Sequence, residues 1–463
     1  MSAQNPSPLQ DAAAITLAAT QNPRTHSAEI ITLKHTALSC KMRNGKREEI
    51  TAEENYSLQI RILAEVKTSG STSKTQLAEA SGTTSDLSPQ TISELVSRIR
   101  EMAKLAPPDP ALGLAEPEQL AKNPPPLNQN DPDTPAPQQL LNQCQEMDEI
   151  GRATSGVTAS ESAEANFSRS HLTHRASNGL DYSSTTTLAA ISAAMVAGEN
   201  ADMQVDWESS LARHSKDLEP AADIAAKAAQ RAVARLNPEP PKSTTTDAIF
   251  EPRVAAGFLS ALAGAANGEA LTRGTSFLIG REDQKILPAH LSLIDDPLRE
   301  KGLASKAVDA EGLATKKLTL FANGTFAQPL LDLASARRLK REPSANASGR
   351  GSPSPGTSNL HLHGGNIPLE TLLQSMGGGT GEGVWITDLF GFGFNPVTGD
   401  WSRAAAGFKI RNGQRAEPIS GFTLAGNILN FLPTLKAGDD LKFRTATNSP
   451  SLLVHNLTLA GAS

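Results

Sequence analysis

Apolar and polar residues alternate through Leu38, Cys40 and Met42 and stop at Asn44-Gly45. Two residues of this type between alternating runs predict a tight hairpin, because both turn positions need positive φ. The first ordered segment begins near Ala28, and Ser57 to Val66 reads as a further strand. Ser69 to Thr84 is rich in Ser, Thr and Gly and reads as a loop. The period then changes. Ser88 stands before Pro89 as an N-cap would, and Ile92, Leu95, Val96, Ile99 and Met102 recur on one helical face. Ten of the chain's 30 prolines then fall between Pro107 and Pro137. Such density excludes both a helix interior and a central strand, so this stretch reads as a linker.

Beyond it, Leu140, Leu141, Cys144, Met147 and Ile150 share the face of a short helix. Ser/Thr-rich, strand-like material follows around residues 178–196, and an Ala-rich helix from Ala221 to Leu236 is stopped by Asn237-Pro238. From about Thr244 the chain carries an Ala/Gly-rich helix over Val254 to Ala270, then turns to strands. Hairpin signals stand at Asn323-Gly324 and Asn412-Gly413, and Leu452 to Val454 with Leu457 suggests a terminal strand pair. Gly377 to Gly381 lacks a following Gly-Lys-Ser/Thr and reads as a turn before a strand from Val384 to Leu389, not as a phosphate loop. The expected fold is α+β. A disordered N-terminus (1–27) leads to a mixed α/β N-terminal region (28–106), and the Pro-rich linker (107–137) to a middle α+β region (138–241). A mostly β C-terminal domain with a buried Ala/Gly-rich helix (242–463) completes it.

Composition narrows the function classes. Of 463 residues 38% are hydrophobic and only 4% aromatic, so small aliphatic side chains must fill the core. The net charge of −6 argues against nucleic acid as the partner, since phosphate neutralisation needs a basic surface. Arg337, Arg338, Lys340 and Arg341 form one local basic patch, which reads as a solvated helix end. No run approaches the roughly 20 apolar residues that span a bilayer, and the first residues lack a basic start followed by an apolar run. No membrane association and a cytoplasmic location are the expectation.

Candidate chemistry is sparse. The two cysteines, Cys40 and Cys144, cannot build a Cys-rich metal site, and the helical company of Cys144 marks a buried core thiol. His361 and His363 stand two apart on a predicted strand, so they point to one face and with a third ligand would bind a metal; exposed or capping histidines are the plainer reading. His171 and His174 would pair on a helix face, but with no nearby acidic partner they read as surface residues. Asp295, Asp296, Asp309 and Glu311 offer carboxylates for a divalent cation or acid–base work, or equally for turn capping beside Pro297, Gly302 and Gly312. Ser402 has no Gly-x-Ser-x-Gly elbow.

Several segments resemble one family. They are Thr275 to Leu278, Ile294 to Leu298 continuing to Asp309-Ala310-Glu311-Gly312, Asp332 to Arg337, and Pro353 to Leu360. The most specific is Asn395-Pro-Val-Thr-Gly-Asp-Trp-Ser-Arg-Ala-Ala-Ala-Gly-Phe408, followed by Thr423 to Asn427 and Leu457 to Gly461. In order and spacing these resemble the TldD/PmbA family, described both as metallopeptidases and as modulators of DNA gyrase. With Arg43 to Lys46 and Met102 to Pro107 the likeness extends over nearly the full chain, although the stretch 67–82 is longer and more polar than the family pattern.

The resemblance implies a division of labour. The TldD branch carries a His-Glu-x-x-x-His stretch on the helix matching Val254 to Ala270, and a C-terminal cysteine completes its zinc site. Here Ser260 and Ala265 stand at the histidine positions and Ala261 at the glutamate position, and no cysteine follows Cys144. Neither Ser nor Ala supplies a nitrogen ligand, and Ala moves no proton. The pattern resembles the PmbA (TldE) type of subunit. It implies no catalytic residue and no cofactor in this chain, zinc in a TldD-type partner of a heterodimer, and a peptide or unfolded-protein substrate. Substrate-binding residues are expected in the Asn395 segment: Asn395, Thr398, Gly399, Asp400, Ser402, Arg403 and Gly407. Two other readings stand: an independent metallopeptidase using His361 and His363, and a regulatory protein that binds DNA gyrase.

Overall fold

The computed structural model describes Thr16, residues 26–67 and residues 75–461. Most of the expected disordered N-terminus lies outside the described residues. Strands β1 (His26–Arg43), β2 (Lys46–Lys67), β3 (Thr75–Thr84), β4 (Val157–Ala176), β5 (Asp181–Ala197) and β6 (Gln204–Ala212) form one antiparallel sheet in the order β3-β2-β1-β4-β5-β6. The β1–β2 turn is Asn44-Gly45, with φ of 49° and 74°, the conformation that hairpin signal demands. Because β1 pairs with β4, the sheet runs unbroken from the first region into the middle one.

Three helices cover one face of this sheet. Helix α1 (Pro89–Leu105) starts where Ser88 accepts from Thr91 N, and it lays Ile92, Leu95, Val96 and Ile99 on Ile30, Leu58, Ile60 and Ile62. Helices α2 (Pro137–Ala153) and α3 (Ala221–Ala234) cover the rest of that face through Cys144, Met147, Ile224 and Ala228. The Cys144 thiol donates to Cys40 O at 3.3 Å, and burial pushes its pKa up to about 12, so it is a core thiol and not a nucleophile.

Two expectations need correction here. Thr75–Thr84, read as part of a loop, is the edge strand β3. Its polar pattern hid it, and Gly82 near its end makes room for α1: a Cβ there would lie 3.0 Å from the Leu95 and Ile99 methyls. His171 and His174 sit on β4, not on a helix, and three residues apart on a strand they face opposite ways. His174 is buried, 2.5 Å from Glu29 Oε1, and Arg61 Nη1 holds the other Glu29 oxygen at 3.0 Å. Burial alone would raise the Glu29 pKa, but the His174 bond and the Arg61 charge outweigh it and hold the carboxyl below its usual range.

The proline-rich segment lies against the C-terminal body. Arg337 donates to the carbonyls of Ala111, Gly113 and Leu114, and Arg338 pairs with Asp109. The basic patch is thereby largely spent within the chain.

In the C-terminal body β7 (Thr244–Phe250) leads straight into helix α4 (Pro252–Ala265). The expected single helix to Ala270 breaks instead at Asn267, whose side chain caps α5 (Gly268–Arg273) by accepting from Glu269 N. A smaller sheet is built from β8 (Ser292–Asp295), β9 (Leu318–Ala322), β10 (Thr325–Phe326), β13 (Leu360–His363) and β18 (Thr447–Asn448), with the short pair β11 (Ala347–Ser348) and β12 (Ser354–Pro355) beside it. Helices α6 (Leu333–Leu339) and α7 (Leu369–Gln374) intervene. The larger sheet follows the order β16-β15-β14-β7-β19-β17, from β14 (Gly383–Phe390), β15 (Asp400–Arg411), β16 (Gln414–Asn427), β17 (Lys436–Ala437) and β19 (Leu452–Ala460), with α8 (Ile428–Phe431) after β16. An extra pairing of β16 with β19 curls it back on itself. The Asn412-Gly413 and Asn323-Gly324 hairpins stand where expected, and the terminal apolar run forms one bulged strand, β19, not a pair. The molecule is α+β with a β-rich C-terminal region, and α4 is its central helix. Phe258 meets Phe250, Trp401 and Phe431 with ring centroids 4.8, 5.4 and 5.6 Å apart.

The acidic turns cap backbone. Asp295 accepts from Ser358 N and Oγ at 2.6 and 2.9 Å, Asp309 from Glu311 N and Leu313 N, and Glu311 from Leu333 N at 2.8 Å. Burial, with the Asp309 charge second, raises the Glu311 pKa from 4.5 to about 8. The folded state therefore holds this proton more tightly than the unfolded chain, and the stability it contributes is complete below about pH 4.5 and lost as pH rises through about 8. Glu311→Gln should flatten that decline: urea denaturation at pH 5 should show little difference from the parent, and at pH 9 the variant should be the more stable. Equal loss of stability in both chains between those pH values would contradict this.

Candidate functional site

Edge strand β6 of the first sheet is linked to the start of α4 through Asp206 and Arg253. There a cleft of about 580 Å³ opens between β6 (Trp207, Glu208), the start of α4 (Arg253, Gly257), β14 (Asp388) and the 440–449 segment (Arg444). A smaller chamber of about 290 Å³ continues it, sharing Arg231, Glu251, Arg253 and Thr387 and ending at Phe408 and Arg415.

Charge pairing builds the floor. Asp206, 2% exposed, takes a two-pronged contact from Arg253, Nη1 to Oδ1 at 2.9 Å and Nη2 to Oδ2 at 3.2 Å. Arg235, at the end of α3, reaches the same carboxylate at 3.0 Å and Asp388 on β14 at 2.6 Å. Arg253 also pairs with Glu251, and Glu208 lies 3.1 Å from both Arg231 and Arg444. Burial would raise the Asp206 pKa, yet the Arg253 contact outweighs it and the net direction is down. Glu251 is pushed up by burial despite Arg253.

Helix α4 lines the cleft with Val254, Ala256 and Gly257, at the head of an exposed face. Gly257, Ser260 and Gly264 are exposed, and a Cβ on either glycine would touch nothing within 4 Å. Ser260 Oγ donates back to Ala256 O at 3.2 Å, Ala261 is partly buried against the core, and Ala265 is buried. This donor set does not fit a zinc ion: a hydroxyl already bonded to its own helix and two methyl groups provide no nitrogen, sulfur or carboxylate ligand. Among the described residues no three His, Cys, Asp or Glu side chains stand together as a metal site. His361 is buried, with Nδ1 3.2 Å from Asn359 O and its ring centroid 5.0 Å from that of Phe443, while His363 is exposed. Burial lowers the His361 pKa.

The Asn395 segment is placed mostly elsewhere. Asn395 Oδ1 accepts from Val397 N and Thr398 N, Thr398 Oγ1 donates to Asp400 Oδ2 at 2.7 Å, and Asn427 Nδ2 bonds Thr398 O and Asp400 Oδ1, both at 2.9 Å. Gly399, at φ 79°, lets that turn close. Asn395, Asp400 and Ser402 border a separate shallow depression beside Phe392 and Gly426. Gly407 is a packing position, since a Cβ there would lie 1.8 Å from Trp385 O. Of the seven only Arg403 lines the cleft, held by Leu389 O and Phe390 O. The arginines and carboxylates of the floor were not singled out from sequence, because a charge on an Ala-rich helix or after a short strand looks like any solvated charge.

Comparison with known proteins places this geometry. Residues 130–236 match the model of a PmbA/TldA metallopeptidase central domain, and 243–461 that of the C-terminal domain. The chain belongs to the PmbA/TldD family. The Metalloprotease PmbA of Escherichia coli O157:H7 is 29% identical over 440 residues, covering 95% of this chain and 93% of that protein. A PmbA homolog of Buchnera aphidicola subsp. Baizongia pistaciae is 32% identical over 60% of each chain. TldE from Thermococcus kodakarensis superposes with a TM-score of 0.80 at 21% identity, covering 98% of this chain and all of that one. A candidate modulator of DNA gyrase from Bacteroides thetaiotaomicron superposes at 0.85 and 21%, covering 98% of each. These two likenesses are ones of fold. As members of the PmbA/TldD family go, this one is metallopeptidase-like, and among the described residues no helix is long and apolar enough to cross a membrane.

Removing Arg253 would leave the buried Glu251 without its ion-pair partner and Asp206 with Arg235 alone. Arg253→Ala should cost about 3 kcal/mol of unfolding free energy in chemical denaturation, and Arg253→Lys should recover only part, since an ammonium cannot span both Asp206 oxygens. A loss under about 0.5 kcal/mol, as for an ordinary surface substitution, would show that the floor does not depend on this pair.

Proposed function

We propose that this chain is the non-catalytic, PmbA/TldE-type subunit of a heterodimeric metalloprotease, with zinc and the general base on a TldD-type partner. The observation that carries the reading is the open face of α4. On the helix that would bear the zinc ligands in the other branch, Gly257 lines the charged cleft with bare backbone, and the exposed face continues beyond the cleft lining through the self-bonded Ser260 and Gly264. Such a face cannot activate water, but it lets an extended peptide approach the helix closely. The surrounding charges would hold a peptide or unfolded segment while the partner cuts it. A cytoplasmic setting without nucleic acid suits a net charge of −6.

The experiment is elemental analysis of the purified chain, with peptide cleavage assayed for the chain alone, a TldD-type subunit alone and the mixture. The reading expects no stoichiometric zinc in this chain, no cleavage by it alone, and cleavage by the mixture that exceeds the partner's own. One zinc held per isolated chain, or cleavage by the isolated chain that chelator abolishes, would overturn it. Failure of the two proteins to co-elute on size exclusion would remove the heterodimer.

A further inference from the structure

The smaller chamber ends at an exposed guanidinium that has no close ion-pair partner among the described residues. Arg415 stands at the start of β16, just past the Asn412-Gly413 turn, and lies over the Trp385 ring at 4.1 Å with Phe408 at 5.6 Å. Each other arginine of the chamber has a carboxylate: Arg231 has Glu208, Arg235 has Asp206 and Asp388, and Arg253 has Asp206 and Glu251. Among the described residues Arg415 has neither a carboxylate within salt-bridge distance nor a hydrogen bond from its guanidinium. The chamber walls carry five cationic side chains against two carboxylates, in a chain whose overall charge is −6. Beside it, the buried Trp385 Nε1 also lacks an acceptor.

Stacking on two rings costs the guanidinium none of its in-plane N–H donors and fixes the plane in which they point. An acceptor that matches such a fork is planar and bidentate, and a carboxylate satisfies it with two parallel bonds. Glu251 attracts this guanidinium from beyond salt-bridge distance and Arg231 repels it more weakly, so an incoming anion would supply the close partner that Glu251 does not. We propose that Arg415, held against Trp385 and Phe408, is the carboxylate-binding residue of the inner chamber and takes the C-terminal carboxylate or an acidic side chain of a peptide lying in the cleft. The proposal rests on the preceding section only for the claim that this peptide is a substrate; binding itself needs this chain alone.

The test is calorimetric titration of the full chain with acetyl-Ala-Ala-Ala as the free acid, the same peptide as its C-terminal amide, and acetyl-Ala-Glu-Ala amide. The free acid or the glutamyl amide should bind at least about tenfold tighter than the neutral amide, and which of the two does so identifies the source of the carboxylate. Arg415→Met should erase that preference, and Arg415→Lys, which keeps charge but not the fork, should retain a fraction of it. Circular dichroism of each variant confirms that it is folded. Equal affinity for acid and amide, no binding of any peptide, or a preference that survives Arg415→Met would each overturn the proposal. The outcomes separate from those of the functional reading. Carboxylate preference without cleavage by the mixed subunits leaves this site and removes the subunit role, whereas cleavage without preference does the reverse.

Discussion

The molecule depends on one shared carboxylate. Asp206 comes from the edge of the first sheet, and the two guanidiniums that hold it come from the end of α3 and the start of α4. Through Arg235 the same network reaches Asp388 on β14, so both sheets are tied at one buried point. Such a network adds little to stability relative to a well-packed apolar contact, but breaking it leaves charge stranded in a low dielectric. Its consequence is registration. The edge of β6 is fixed against α4, and the width of the cleft between them follows.

That fixed distance gives meaning to the small residues of α4. Elsewhere on the helix Phe258, Leu259 and Leu262 are buried in the C-terminal core, so its orientation is set by packing. The exposed face left over begins at the cleft with Gly257 and continues through Ser260 and Gly264, and it bears neither a metal ligand nor a base. On the proposed reading, this bare backbone beside paired charges would hold an extended chain while the partner activates water. The chamber that continues the cleft ends at Arg415, which among the described residues has no close ion-pair partner.

Local turn chemistry was the most legible layer of the sequence. Asn44-Gly45, Asn323-Gly324 and Asn412-Gly413 each form the hairpin their composition demands, with positive φ at both residues, because few other residues tolerate that conformation. The helical spacing around Cys144 placed it in the core for a similarly local reason. Legibility failed where burial is decided by distant partners. β3 is an edge strand whose Ser and Thr look like loop, and α4 ends early because Asn267 caps a second helix, a choice that Gly268 packing under Ser335 and Leu331 enforces. His174 read as a surface residue because its acid, Glu29, lies 145 positions away. The family motif Asn395 to Phe408 was visible, but its Asn, Thr and Asp bond one another to shape a turn, and only Arg403 reaches the cleft.

The central claim is that the open face of α4 looks onto bound peptide and not onto solvent or the partner alone. A photo-crosslinking amino acid at position 260 tests it directly, in this chain assembled with a TldD-type subunit and given a labelled peptide. The account predicts a light-dependent adduct between the peptide and this chain, lost when unlabelled peptide is in excess and absent when the same crosslinker is placed at exposed position 105 on α1. An adduct equal at both positions, or none at position 260 while the assembly cleaves the peptide, would contradict it.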